Sequence, residues 1–271
     1  MQVSQQLRDA LCAQPIELTV FKPVALDLLR LIAEPDIVFF NITKIIKEDQ
    51  ALSAHVLKMA NSPSYMGRSR CETIENAAIR LGSQQIANIA IAASHASLHA
   101  SENPLVHSVM QDLWLHSHAC ALGCRSIVLK TGHQRFADHA YLAGLLHDIG
   151  KLSLLKALER ISSPDDLNRE LLRSVFSELH VTTGTRVMDH LNLPRIYRDI
   201  AAHHHFECRA SDDFLLTVVR FVNHTSRTLE LNQFPTQDLK AGGVSEGALI
   251  ELDQASLEKL EETMSGSRFD L

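Results

Sequence analysis

The sequence has no apolar run approaching the roughly 20 residues that a membrane-spanning helix needs. Its most apolar stretches, Ile86 to Ala93 and Ala140 to Leu146, are far shorter, so no membrane helix is expected. It also lacks a Lys/Arg block, and its formal net charge is -6. The electrostatic footprint that phosphate neutralisation demands is therefore missing, which disfavours a nucleic-acid partner. The opening MQVSQQLRDALCAQPIE has no basic flank followed by an apolar core, so no secretory signal is read there. The 5 cysteines are odd in number, irregularly spaced and without a CxxC pair, as in a chain kept reduced in the cytoplasm. There is no internal repeat, no glycine-rich phosphate loop and no nucleophile elbow, which removes P-loop and serine-hydrolase chemistry. Trp 1, Tyr 3, Gly 11 and Pro 8 are low counts for 271 residues, and alanine and leucine are abundant. Average local preference is thus for helix, and an all-α fold is expected.

Punctuation divides the first third into short helices. Val24, Leu28, Leu31 and Ile32 form an apolar stripe that ends at Glu34-Pro35. Asp36 is placed to cap the next helix, with Phe39, Ile42, Ile45 and Ile46 at helical spacing, and Asp49 to cap a third that Asn61-Ser62-Pro63 breaks. Gly82-Ser83 reads as a C-cap followed by an N-cap. Asn103-Pro104 is the best candidate boundary. Longer helices are expected beyond it, at roughly 105 to 130, 138 to 149, 168 to 190, 194 to 205 and 213 to 230. After about residue 232, Pro235, the Gly242-Gly243 turn and an amphipathic stretch from Leu252 to Met264 suggest a peripheral hairpin or loop and a last helix.

The 15 histidines are many for this length, and they gather late: His116, His118, His133, His139, His147, His180, His190 and His203-His204-His205. Histidine is the commonest metal ligand and titrates near neutrality, so the excess favours a metal or acid-base site. The stretch AGLLHDIGKLSLL carries His147 beside Asp148, with Ala143 and Gly144 one turn earlier leaving room for a close helix neighbour. Successive residues diverge by about 100 degrees around a helix, so both side chains reach one ion only near the helix end. Asp112 and His116 share a face at i and i+4, His180 lies mid-helix, and His203 to His205 end the helix after Leu193-Pro194. Several imidazoles with one carboxylate suit Zn, Mn, Fe or Co rather than an all-oxygen Mg or Ca cage. Plainer readings stand beside this one. Asp148 would accept a buried hydrogen bond from a histidine, Lys151 would be a solvated lysine after a Gly150 turn, and His203 to His205 would be a solvated helix end. Cys120 and Cys124 continue the His116 stripe; a Cys/His zinc site there lacks a CxxC pair and has the other cysteines distant in sequence, so they read as small packing residues.

The residues resemble a family. "PVALDLLRLIAEPD", "IIKEDQALSAHVLKMANSPSY", "TIENAAIRLGSQQIANIAI", "LWLHSHACALG", "AGLLHDIGKLSLL", "ELHVTTGTRVMDHLNLP" and "HHH" occur in the order found in HDOD proteins, the HD-related output domains of the HD superfamily of metal-dependent phosphohydrolases. The likeness covers roughly residues 20 to 230. It implies two packed helical subdomains, residues 1 to 103 and an HD-like bundle over 104 to 231, with 232 to 271 an extension packed on the same unit. It implies metal ligands at His116, His147, Asp148, His180, His203 and His204, with a one-residue slip to His204-His205 left open. Lys151 matches a lysine that contacts substrate phosphate, so Asp148 and Lys151 carry the chemistry if there is any.

Two departures bear on function. Asn223, in "TVVRFVNHTSRTL", stands where a late aspartate ligand is expected, and "FECRASDD" replaces the Gly-Tyr-Pro signature of cyclic-dinucleotide phosphodiesterases. Members of the class are mostly regarded as signalling modules. The resemblance therefore implies first a bacterial, cytoplasmic regulatory protein that engages a signalling partner, with a divalent transition metal or a nucleotide modulating it. The second implication is a metal-dependent phosphohydrolase acting on a nucleotide or phosphodiester.

Overall fold

The protein is described by a computed structural model over residues 2–14, 22–32, 39–65, 67, 69–205, 213–231 and 252–267. Among these residues every regular element is a helix. Glu34-Pro35, Asp36, Pro235 and Gly242-Gly243, expected to punctuate the chain, lie outside them.

The first subdomain gathers α2 (Pro23–Ile32), α3 (Phe39–Glu48), α4 (Gln50–Ala60) and α5 (Ile74–Leu81) around α6 (Ser83–Ala96). Alanine and isoleucine make α6 apolar all round, and Gln85 through His95 are buried along it. Asp49 caps α4 as expected, its carboxylate accepting from the Leu52 amide at 2.9 Å. Beyond α4 the Asn61 side chain both donates to the Cys71 carbonyl and accepts from its amide, which ties off the connection to α5. Gly82, at φ +87°, ends α5 and also occupies the N-cap of α6. Ser83 was expected at that cap and instead forms the first residue of the helix; the left-handed backbone that ends α5 is cheap only for glycine.

The second subdomain is built on α7 (Pro104–Lys130), which is about 40 Å long at 1.5 Å per residue. The Asn103 side chain caps it, accepting from Leu105 and Val106, with Pro104 at the first helical position. Around it lie α8 (Ala137–Leu146), α9 (Ile149–Ile161), α10 (Arg169–His190), α11 (Arg195–His203) and α12 (Phe214–Thr228). The single helix expected over 138 to 149 stops at Leu146 and restarts at Ile149, which leaves His147 and Asp148 at the corner. The amphipathic tail forms the expected last helix, α13 (Gln254–Gly266), which buries Leu260 and Met264 against α7. Gly123 makes room for this docking, since a Cβ there would sit 2.8 Å from Val222 and 3.1 Å from both Leu260 and Met264.

Helix α1 (Gln5–Ala13) precedes the first subdomain in sequence but docks on the second. The Val3 amide donates to Glu178, Arg8 pairs with the same carboxylate, and Arg186 donates to the Cys12 carbonyl. Helices α2 to α6 pack mainly with one another and α7 to α13 with one another, α6 also touching α8 across Asn103-Pro104, and α1 belongs in space with the later helices. No described helix is long and apolar enough to cross a membrane.

Where the two subdomains meet, His95 and His99 pack edge-on to each other and tilted against Trp114, all three buried. Burial drives the His99 pKa down to about 4, opposed by its bond to the His95 carbonyl and aided by Lys156; burial and His99 hold His95 well below the ordinary 6.5. The unfolded chain therefore binds more protons than the native one below pH 6.5. Stability complete above that pH is lost as pH falls toward 4, with about 3 kcal/mol attributable to His99 alone at 1.4 kcal/mol per unit. The urea midpoint is expected to drop steadily from pH 7 to pH 4.5, and less steeply in His99→Gln. A midpoint constant over that interval would contradict the buried neutral imidazoles.

Candidate metal centre

Two glycine crossings bring the late histidines together. At Gly144 on α8, an added Cβ would lie 2.5 Å from the Cys120 carbonyl oxygen, so α8 and α7 touch backbone to backbone one turn before His147. This is the close approach expected from Ala143 and Gly144. At Gly150 on α9, a Cβ would lie 2.0 Å from the His180 carbonyl oxygen and 2.6 Å from the Gly184 nitrogen, so α9 and α10 touch just beyond Asp148. Gly150 is therefore a helix-packing residue rather than the turn expected from sequence.

Asp148 is the hub. Its Oδ2 lies 3.3 Å from His116 Nε2 and 3.5 Å from His147 Nε2, and its Oδ1 lies 3.3 Å from His204 Nε2 and 3.7 Å from His180 Nε2. Lys151, one turn along α9, donates to Oδ2 at 2.6 Å. None of these side chains is more than 3% exposed. Lys151 is thus a buried ion-pair partner, which corrects the expectation of a solvated lysine in a metal-free protein. The groove of ≈ 410 Å³ between α12 and α13 is lined by none of them.

The protonation pattern follows from the outer partners. His147 Nδ1 donates to the Gly144 carbonyl at 2.8 Å, His204 Nδ1 to the Ala201 carbonyl at 2.9 Å, and His180 Nδ1 to the Phe176 carbonyl. A carbonyl oxygen can only accept, so each Nδ1 carries a proton, and in that tautomer the Nε2 lone pair is directed to the pocket. Burial holds His147 well below its ordinary pKa and His180 down to about 3, which keeps both neutral at pH 7. Burial likewise lowers His116 and His205. On its own, burial would raise Asp148. The Lys151 ammonium first, then His147, with His116 and His204 adding to them, more than reverse this and keep its carboxyl well below the usual range.

Structure sorts the expected ligands. His116, His147, Asp148, His180 and His204 converge, but His203 does not. The buried stripe of α11 is Tyr197, Ile200 and Ala201, and His204 continues it at helical spacing. His203 therefore points outward, with Nδ1 on the Asp199 carbonyl at 2.8 Å, while its own carbonyl accepts from Arg220. His205 takes the second place, with Nε2 2.7 Å from His180 Nε2. Asp112, paired with His116 by spacing, stands outside the cluster. Cys120, read from the sequence as a packing residue, lies beside the site with its Sγ 3.8 Å from His116 Nδ1, and Arg227, whose charge acts on both Asp148 and His116, was missed. Arg227 is one turn beyond Asn223, which is itself 1% exposed and leaves its Oδ1 without a hydrogen-bond partner.

Two groups satisfy the proximity that one ion requires: Asp148, His180, His204 and His205, and His116, Cys120 and His147. The donors also fit a cation chemically. His204 Nε2 and Asp148 Oδ1 are buried and 3.3 Å apart, yet neither makes a hydrogen bond. A lone pair facing a carboxylate oxygen is repulsive unless a positive charge lies between them.

Comparison with known proteins agrees with this architecture. A relative from Treponema pallidum (strain Nichols), described as an uncharacterized protein, is 25% identical over 215 residues; the match takes in 76% of this chain but only 41% of that protein. Among solved structures, a candidate metal-dependent phosphohydrolase from Shewanella amazonensis SB2B superposes with TM-score 0.73 at 21% identity, over 97% of this chain and 96% of that one. An HDOD domain protein of unknown function from Geobacter sulfurreducens gives TM-score 0.69 at 21% identity over 97% and 89%. A candidate signal transduction protein from Marinobacter aquaeolei VT8 gives 0.65 at 19% identity, over 100% of this chain and 61% of that one. These likenesses establish the all-α fold. The model of the HDOD domain family matches residues 18–206, well over half of the sequence, and the chain therefore belongs to the HDOD family.

Proposed function

We propose that this protein is an HDOD regulatory module, cytoplasmic and bacterial, whose buried His-Asp pocket holds a divalent transition metal and whose helical surface engages a signalling partner. One observation carries the reading: four imidazole nitrogens within 3.7 Å of one buried carboxylate, three of them with Nδ1 fixed on backbone carbonyls so that Nε2 is left to coordinate. Mn, Fe, Zn and Co all suit such donors. Regulation is favoured over turnover because ligand atoms this buried give a phosphodiester no approach, and because Asn223 supplies no further anionic ligand.

The second reading is a metal-dependent phosphohydrolase acting on a nucleotide or phosphodiester, the activity that the name of the Shewanella neighbour suggests for that protein. A bound divalent ion would supply Lewis acidity and lower the pKa of coordinated water. The chain's own contribution would be cationic. Lys151 and Arg227 flank Asp148 and are placed to offset phosphoryl charge, Lys151 only after leaving the carboxylate it now pairs with. Elemental analysis of tag-free protein purified without chelator tests both readings. At least one equivalent of metal, with no hydrolysis of nucleotides or cyclic dinucleotides in added Mn, supports the regulatory module; metal-dependent turnover supports the enzyme. Metal well below one equivalent would sink both.

A further inference from the structure

We propose that Cys120 is itself a metal ligand, completing a four-donor corner with His116, His147 and the Oδ2 oxygen of Asp148. The proposal rests on the pocket being a metal site and adds to it a thiolate. Cys120 is fully buried on α7, one turn beyond His116, with Sγ 3.8 Å and 3.9 Å from the two nitrogens of that ring. The ligand atoms of His116, Cys120 and His147 all lie within 4.8 Å of one another.

Edge lengths identify the geometry. Around an ion bonded to nitrogen at roughly 2.0–2.1 Å and to sulfur at about 2.3 Å, a tetrahedron has N···N edges of about 3.3 Å and N···S edges of about 3.6 Å. The corner measures 3.3 Å between His116 Nε2 and His147 Nε2, 3.3 and 3.5 Å from these to Asp148 Oδ2, and 3.9 Å from His116 Nε2 to Cys120 Sγ. The nitrogen and oxygen edges already match; Sγ, nearly equidistant from the two His116 nitrogens, has to swing toward Nε2 by well over an ångström to reach the roughly 2.3 Å of a metal–sulfur bond. Lys151 holds the same Oδ2 at 2.6 Å, so its ammonium swings aside as the ion enters. On binding, the Cys120 S–H bond breaks, an S–metal bond forms and the proton leaves to solvent.

This assignment gives the pocket two unlike halves that share Asp148. The His180, His204 and His205 side has nitrogen and oxygen donors alone, whereas the Cys120 side groups His116, Cys120 and His147 and, with Asp148 Oδ2 as its proposed fourth ligand, would leave no open position. Thiolate with imidazole selects zinc or cobalt over manganese, and a closed set of four marks a structural rather than a catalytic ion.

Cobalt reports sulfur directly. The full-length protein, stripped of metal by chelator dialysis and titrated with Co(II), should develop a near-ultraviolet thiolate-to-cobalt charge-transfer band. The band should vanish in Cys120→Ser and Cys120→Ala and persist in Cys124→Ser. Cobalt bound without the band, or a band surviving in Cys120→Ser, would overturn the Cys120 assignment and leave the metal pocket standing. Failure of the wild-type protein to bind cobalt at all would overturn both.

Discussion

Gly150→Ala is expected to destabilise the protein by about 3 kcal/mol, the upper end of what overpacking usually costs. The new Cβ would meet the His180 carbonyl oxygen at 2.0 Å and the Gly184 nitrogen at 2.6 Å. Both are backbone atoms of a long helix, so no side-chain rotation relieves the clash and α9 must move away from α10. That movement pulls Asp148 and Lys151 from His180, whose Nε2 now lies 3.7 Å from Asp148 Oδ1. Metal content should fall with stability, and Tm should drop by about 10 °C at 2–4 °C per kcal/mol. Gly184→Ala provides the contrast. Its Cβ would find nothing nearer than 3.5 Å, so it should be neutral or slightly stabilising through helix propensity. Equal stability of Gly150→Ala and wild type would show that the crossing yields more easily than the backbone contacts imply.

Most of the fold was legible because helical spacing, caps and breaks are local signals. Asp49 and Asn103 cap where they were expected or beside an expected break, and the tail from Leu252 to Met264 presents Leu260 and Met264 inward. The candidate site was legible in its membership and misread in its registry. His204 rather than His203 faces inward because it continues the stripe of Tyr197, Ile200 and Ala201, a signal present in the sequence but outweighed by alignment to a double-histidine motif. His205, just beyond the end of α11, follows no helical stripe, and its pairing with His180 is a long-range fact. Gly150 looked like a turn because a glycine chosen for close helix contact and one chosen for a turn are the same letter. Lys151 looked solvated because its partner Asp148 shares its face only once the helix restarts at Ile149. Cys120 was seen on the right stripe, but its distance from His116 and His147 depends on Gly144 letting α8 settle on the Cys120 backbone.

Asp148→Ala should abolish metal binding and at the same time destabilise the protein by about 3–5 kcal/mol, for two separable reasons. Metal is lost because Asp148 alone touches both donor groups, through Oδ2 toward His116 and His147 and through Oδ1 toward His180 and His204. Stability is lost because the Lys151 side chain, 1% exposed, loses the carboxylate that compensates its burial. Removing one partner of a buried pair strands the other, whereas removing both is often close to neutral. The double variant Asp148→Ala/Lys151→Met should therefore recover most of the stability while remaining metal-free. That outcome separates the carboxylate's coordinating role from its structural one, since a folded protein without metal cannot be explained by unfolding. Urea denaturation and elemental analysis of wild type, single and double variants supply the measurement. Metal content unchanged in either variant would remove Asp148 from the ligand set, and a double variant no more stable than the single one would show that Lys151 finds another partner when Asp148 is gone.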